Sequence, residues 1–136
     1  MLRLLLADES AGFRQAVGGL LRAHFPTMVE LREAGDGPET LQQLDGADVA
    51  FLDFSLHREL AARIKSEHPN LVLAMLTIHA APEYRQAAFR QGADYFVSKE
   101  APAEHILKVV RSVVAGREVA TSPHDEQDAI TMGNGL

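Results

Sequence analysis

At 136 residues the chain fits one compact domain, and its 46% apolar content is enough to bury a core. With no cysteine it has no disulfide framework, thiolate nucleophile or sulfur-ligated metal site. A formal net charge of −6 disfavours a basic nucleic-acid footprint, and no apolar run nears the ~20 residues that span a bilayer.

The opening Met1-Leu2-Arg3-Leu4-Leu5-Leu6-Ala7 is too short for a secretory leader and runs straight into acidic residues, so a cytoplasmic location is expected. Residues 4–7 read as a first buried strand, stopping at Asp8-Glu9. Ser10 then caps a helix with Phe13, Val17, Leu20 and Leu21 on one face, closed by Pro26. Gly18 and Gly19 weaken that helix, so tertiary packing must hold it. Residues 28–32 form a second strand near an edge, and Asp36-Gly37-Pro38 opens a short helix through Leu44, ended by Asp45-Gly46.

Val49-Ala50-Phe51-Leu52 is a fully apolar third strand that stops at Asp53. A helix follows, carrying Leu56, Leu60 and Ile64 at four-residue spacing and ending before Pro69. Residues 71–76 are the fourth strand, leading into Thr77. Pro82 starts a helix with Ala87, Ala88 and Tyr84 inward, and Gly92 ends it. Residues 94–97 are the fifth strand, followed by Ser98-Lys99. Pro102 begins the last helix, with Ile106, Val109, Val110 and Val113 inward, ending at Gly116. Residues 1–117 form the domain, and 118–136 read as a linker or loose tail.

Apolar strands alternating with amphipathic helices predict an α/β fold, its parallel sheet covered on both faces. Asp8 and Glu9 follow the first strand, Asp53 the third, Thr77 the fourth and Lys99 the fifth. In an open parallel sheet these positions share the carboxyl edge, where ligands bind. Clustered carboxylates repel unless a divalent cation neutralises them, and an all-oxygen set suits Mg²⁺. Asp53 then has the place of a nucleophile toward a phosphoryl group, with Lys99 and Mg²⁺ stabilising the transferring oxygens. The Thr77 hydroxyl is placed to bond the new phosphate and turn a charge change into movement.

Four stretches carry a family likeness: Leu4-Leu5-Leu6-Ala7-Asp8-Glu9, Val49-Ala50-Phe51-Leu52-Asp53, Met75-Leu76-Thr77, and Gly92-Ala93-Asp94-Tyr95-Phe96-Val97-Ser98-Lys99. Together they resemble the response-regulator receiver domain, CheY-like, over residues 1–117. The run from Lys99-Glu100-Ala101-Pro102 to Ala115-Gly116-Arg117 is similar to the NarL/LuxR branch in particular. The resemblance implies a flavodoxin-like (βα)5 three-layer sandwich with strand order 2-1-3-4-5, in keeping with right-handed crossovers.

It also implies a part in two-component signal transduction. Asp53 would be the phosphoacceptor of a phosphorelay, served by a sensor histidine kinase, with Lys99 and Thr77 touching the phosphate. Mg²⁺ would be held by Asp8, Glu9, Asp53 and the backbone carbonyl of Ser55, while Thr77 and Phe96 would be the switch pair. Such a domain catalyses only its own phosphorylation and dephosphorylation and is not a conventional enzyme. A homodimer would use the fourth helix (from Pro82), the fifth strand and the last helix. Leu107 and Val114, beside the inward set of that helix, read equally well as core and as interface. No nucleic acid or membrane binding by this chain is expected; a DNA-binding domain in the full-length protein would carry transcription regulation.

Two features depart from the family pattern. After Asp53 the chain enters a helical pattern almost directly, several residues short of the usual Met-Pro and glycine loop. Ile78 stands after Thr77, where a small residue is usual, and is expected to crowd the phosphate site. These departures keep open a degenerate receiver, an interaction module that works without phosphorylation. A flavodoxin-like cofactor binder is disfavoured, because Asp8-Glu9-Ser10 stands where a glycine-rich phosphate cradle would follow the first strand. The six histidines are scattered and read as surface or packing residues; His79, two beyond Thr77, is the one placed to overhang a phosphate.

Overall fold

Leu4, Leu5, Leu6 and Ala7 are each 0% exposed, so the strand that carries them is covered on both faces. The computed structural model describes residues 1–57, 59–78, 81–100 and 102–118. In chain order these form Leu2–Ala7 (β1), Ala11–His24 (α1), Val29–Ala34 (β2), Gly37–Gln43 (α2), Val49–Asp53 (β3) and Phe54–His57 (α3). Ala61–Glu67 (α4), Val72–Thr77 (β4), Pro82–Arg90 (α5), Tyr95–Ser98 (β5) and Pro102–Glu118 (α6) follow.

All five strands are parallel, in the order β2-β1-β3-β4-β5 that the resemblance implied. Alternation along each strand divides the core into two layers. Leu4, Leu6, Phe51, Ala74, Leu76 and Val97 pack with Val17 and Leu21 of α1 and with Ile106, Val109 and Val110 of α6. Leu5, Ala7, Leu52, Leu73, Met75 and Phe96 face the other way, against Phe54, Ala61, Ile64 and Ala88. Tyr84 and Ala87 back that second layer, half-buried. The result is helix, sheet and helix in three layers.

Local chemistry fixes the helix starts. Ser10 Oγ accepts a hydrogen bond from Phe13 N at 3.1 Å, and Asp36 Oδ1 accepts one from Glu39 N at 2.8 Å. Gly46 and Gly92 take φ of +77° and +103° in the turns before β3 and β5, a region other residues rarely enter.

Several boundaries differ from the sequence reading: β1 begins two residues earlier, at Leu2, and β4 and β5 each lie one residue later. β2 runs two residues further, to Ala34, because Glu33 and Ala34 lie in register with Leu6 and Ala7 of β1. The single helix expected after Asp53 is two segments, α3 and α4, and Leu60 begins α4 with no side-chain capping bond. α6 passes through Gly116 to Glu118, since one interior glycine costs a helix only about 1 kcal/mol. The expected tail from 119 onward lies outside the described residues.

Candidate functional site

The carboxyl ends of β1, β3, β4 and β5 bring Asp8, Asp53, Thr77 and Lys99 to one edge of the sheet. Asp8, Asp53 and Thr77 are 0%, 4% and 3% exposed, unusual burial for groups of this polarity. Each is fixed by its own backbone surroundings. Asp8 Oδ1 accepts from Ser10 N at 2.9 Å, so the turn that leads into α1 also orients the acid. Arg14, one turn into α1, donates to the Asp8 main-chain carbonyl and pairs with Glu33 of β2 at 3.0 Å. Asp53 Oδ1 accepts from Ser55 N at 3.3 Å and from Ser55 Oγ at 3.1 Å. Lys99 N donates to Thr77 O at 2.7 Å, tying the end of β5 to the end of β4.

The Lys99 side chain, 14% exposed, crosses the pocket. Its ammonium is ion-paired with Asp8 Oδ2 and stands 3.6 Å from Asp53 Oδ2, with the Phe13 ring centroid 4.7 Å away. Two buried carboxylates thus share one ammonium, so the three groups together carry a formal charge of −1. Two hard carboxylate oxygens around residual negative charge fit Mg²⁺, which is commonly bound through one or two carboxylates plus water and phosphate. Asp8 and Asp53 would hold it, and its charge would draw electron density from a phosphoryl group.

Other expected residues fall less centrally. Glu9 is exposed, and among the described residues no three acidic or histidine side chains gather as a metal-holding group. Ser55 lies in α3, with its amide and hydroxyl turned to Asp53. Phe96 is 3% exposed and belongs to the second core layer. Ile78 is 61% exposed, so its bulk is mostly in solvent. His79 lies outside the described residues. A cavity of about 270 Å³ lined by Asp48, His68, Asn70 and Leu71 sits before β3 and β4, at the opposite edge of the sheet from the acids.

Phe13 and Arg14 were not legible as site residues. Phe13 reads as one more apolar position of α1, and Arg14 belongs to no motif of the sequence. The available signal was the Ser10 cap only two residues past Asp8, which sets the first turn of α1 beside the strand end.

The family model described as response regulator receiver domain matches residues 4–111. The chain is 27% identical over 122 residues to the oxygen regulatory protein NreC of Staphylococcus haemolyticus, covering 85% of this chain and 56% of that protein. It is 31% identical over 126 residues to the transcriptional activator protein ExaE of Pseudomonas putida, covering 88% and 58%. The chain therefore spans little more than half the length of the curated relatives it matches. Its fold is similar to the signal receiver domain of the DNA binding response regulator merR from Colwellia psychrerythraea, at TM-score 0.79 and 18% identity over 85% of this chain and 99% of that one. The chemotaxis response regulator CheY4 of Vibrio cholerae gives TM-score 0.72 at 27% identity, over 83% and 98%. On the family match and the fold together, the chain belongs to the response regulator receiver domains of two-component systems, with relatives of the NarL/LuxR type.

Proposed function

We propose that Asp53 accepts a phosphoryl group from a sensor histidine kinase and that its phosphorylation changes the surface offered to a partner. The observation that carries this reading is Asp53, 4% exposed, with the Lys99 ammonium 3.6 Å from Oδ2 and paired also with Asp8. An Asp53 oxygen attacks phosphorus, the P–N bond of the phosphohistidine donor breaks, and the imidazole leaves with its electron pair. Lys99 sits where negative charge builds on the transferring oxygens. Bound Mg²⁺ would supply further charge, held by Asp8 and Asp53 with the Ser55 carbonyl and Glu9 as additional oxygen donors. The Thr77 hydroxyl then bonds the new phosphate, and Phe96 on the adjoining strand follows that movement. Hydrolysis of the acyl phosphate in the same pocket would reset the domain.

The curated relatives include a protein named as a transcriptional activator, so transcription is the proposed output, through a DNA-binding region of the full-length protein. A homodimer through α5, β5 and α6 is the proposed association. No helix among the described residues is long and apolar enough to cross a membrane, and a cytoplasmic location accords with a kinase partner.

The test is incubation with phosphoramidate and Mg²⁺, followed by intact mass. The wild type should gain one phosphoryl group and Asp53→Asn none, because the amide lacks the nucleophilic charge. A wild type that gains no mass, while an ordinary receiver in the same assay does, would establish the phosphorylation-independent module instead.

A further inference from the structure

Four residues of the pocket close a circuit of contacts. Asp8 Oδ1 accepts from Ser10 N at 2.9 Å, and Ser10 Oγ accepts from Phe13 N at 3.1 Å. The Phe13 ring centroid lies 4.7 Å from Lys99 Nζ, and that ammonium returns to Asp8 Oδ2 as an ion pair. Ser10 thus fixes the acid and the aromatic residue on the same short turn. Phe13 is half-buried and packs against the core layer that contains Val17 and Ile106. An aromatic face attracts a cation within about 6 Å, and more strongly where water is scarce. At 14% exposure, the Lys99 side chain meets that condition.

We propose that Phe13 is the positioning residue of Lys99. Lysine is a point charge on a flexible stem, with nothing in its own geometry to select a direction. Between the Phe13 face and Asp8, the ammonium is kept beside Asp53 at 3.6 Å without closing into a tight pair with it. An incoming phosphoryl group then meets a charge already in place, and no reorganisation is needed at the moment of transfer. This inference rests on the reading of Asp53 and Lys99 as the phosphoacceptor site. A ring that only fills the core would be replaced adequately by leucine; a ring that orients a cation would not.

Two measurements on the full chain test it. The first needs no phosphate: a double-mutant cycle in urea combines Phe13→Leu with Lys99→Met, which keeps the apolar stem and removes the ammonium. The two changes should be non-additive, and additivity within error would overturn the contact. The second is the rate constant for acyl-phosphate formation from phosphoramidate and Mg²⁺. Phe13→Leu should react about 3-fold to about 10-fold more slowly, and Phe13→Tyr within about 2-fold of wild type. Equal rates for Phe13→Leu and wild type, or equal losses in the leucine and tyrosine variants, would overturn the proposal. If Phe13→Leu folds poorly, pentafluorophenylalanine at position 13 keeps the ring shape and reverses the charge of its face, and it should be slow in the same way. A wild type that takes no phosphate would count against Asp53 as acceptor, and the urea cycle would then decide the Phe13–Lys99 contact alone.

Discussion

Lys99 Nζ is ion-paired with Asp8 Oδ2 and stands 3.6 Å from Asp53 Oδ2, so one ammonium serves two carboxylates delivered by different strands. The side chains of Asp8 and Asp53 are only 1% and 6% exposed, and little solvent is available to replace that cation. The site is therefore held at some tension between charge and burial.

Removing the cation should cost stability. Lys99→Met removes the ammonium that two buried carboxylates share, and breaking a buried ion pair by removing one partner costs about 3 kcal/mol. Urea denaturation is the measurement. Adding Asp8→Asn to Lys99→Met should recover part of the loss, because one of the two stranded charges disappears. No recovery would mean that the loss does not come from the Asp8 charge left beside the missing ammonium.

Mg²⁺ should raise the melting temperature of the wild type, since a ligand that binds only the folded state stabilises it by mass action. The rise should disappear in Asp8→Asn and in Asp53→Asn, each of which removes a converging carboxylate. Glu9→Gln should keep most of it, because Glu9 is exposed while Asp8 is fully buried. A thermal shift lost equally in all three variants would place Glu9 in the inner set of ligands after all.

The glycines give opposite outcomes. A Cβ at Gly19 meets nothing within 4 Å, so Gly19→Ala should stabilise α1 by roughly 0.5–1 kcal/mol. At Gly92 the backbone has φ +103° and a Cβ would lie 2.8 Å from Lys65 Cγ. Gly92→Ala should therefore destabilise by about 1 kcal/mol or more, through backbone strain and displacement of a lysine that pairs with Asp94 at 2.9 Å. Melting curves of the two variants should move in opposite directions.

Ile78→Ala tests whether bulk beside Thr77 limits access to the pocket. Because Ile78 is 61% exposed, the substitution should change stability by less than about 0.5 kcal/mol and leave the rate of phosphate uptake unchanged. A faster rate would restore the crowding expected from sequence.

The parts of this protein legible in the sequence are those encoded within a few residues. Runs such as Leu4-Leu5-Leu6-Ala7 and Val49-Ala50-Phe51-Leu52 are apolar because both faces of a central parallel strand are covered, and each ends in an acid at the carboxyl edge of the sheet, where ligands bind. Ser10 and Asp36 announce their helices through hydrogen bonds that span three residues. From these, the strand ends that gather Asp8, Asp53, Thr77 and Lys99 could be named without coordinates. The split between α3 and α4 could not, because Leu60 starts α4 without a capping side chain and so leaves no mark in the sequence. Nor could the extent of β2, which is set by its register against β1 and not by its own pattern. Asp8 and Glu9 are adjacent acids with the same chemistry, yet one is fully buried and the other exposed. Phe13 and Lys99 are 86 positions apart, and their contact depends on where α1 and the end of β5 meet across the sheet edge. Local hydrogen bonding and periodicity determined where the elements lie; only the packing of one element on another decided which side chains share a pocket.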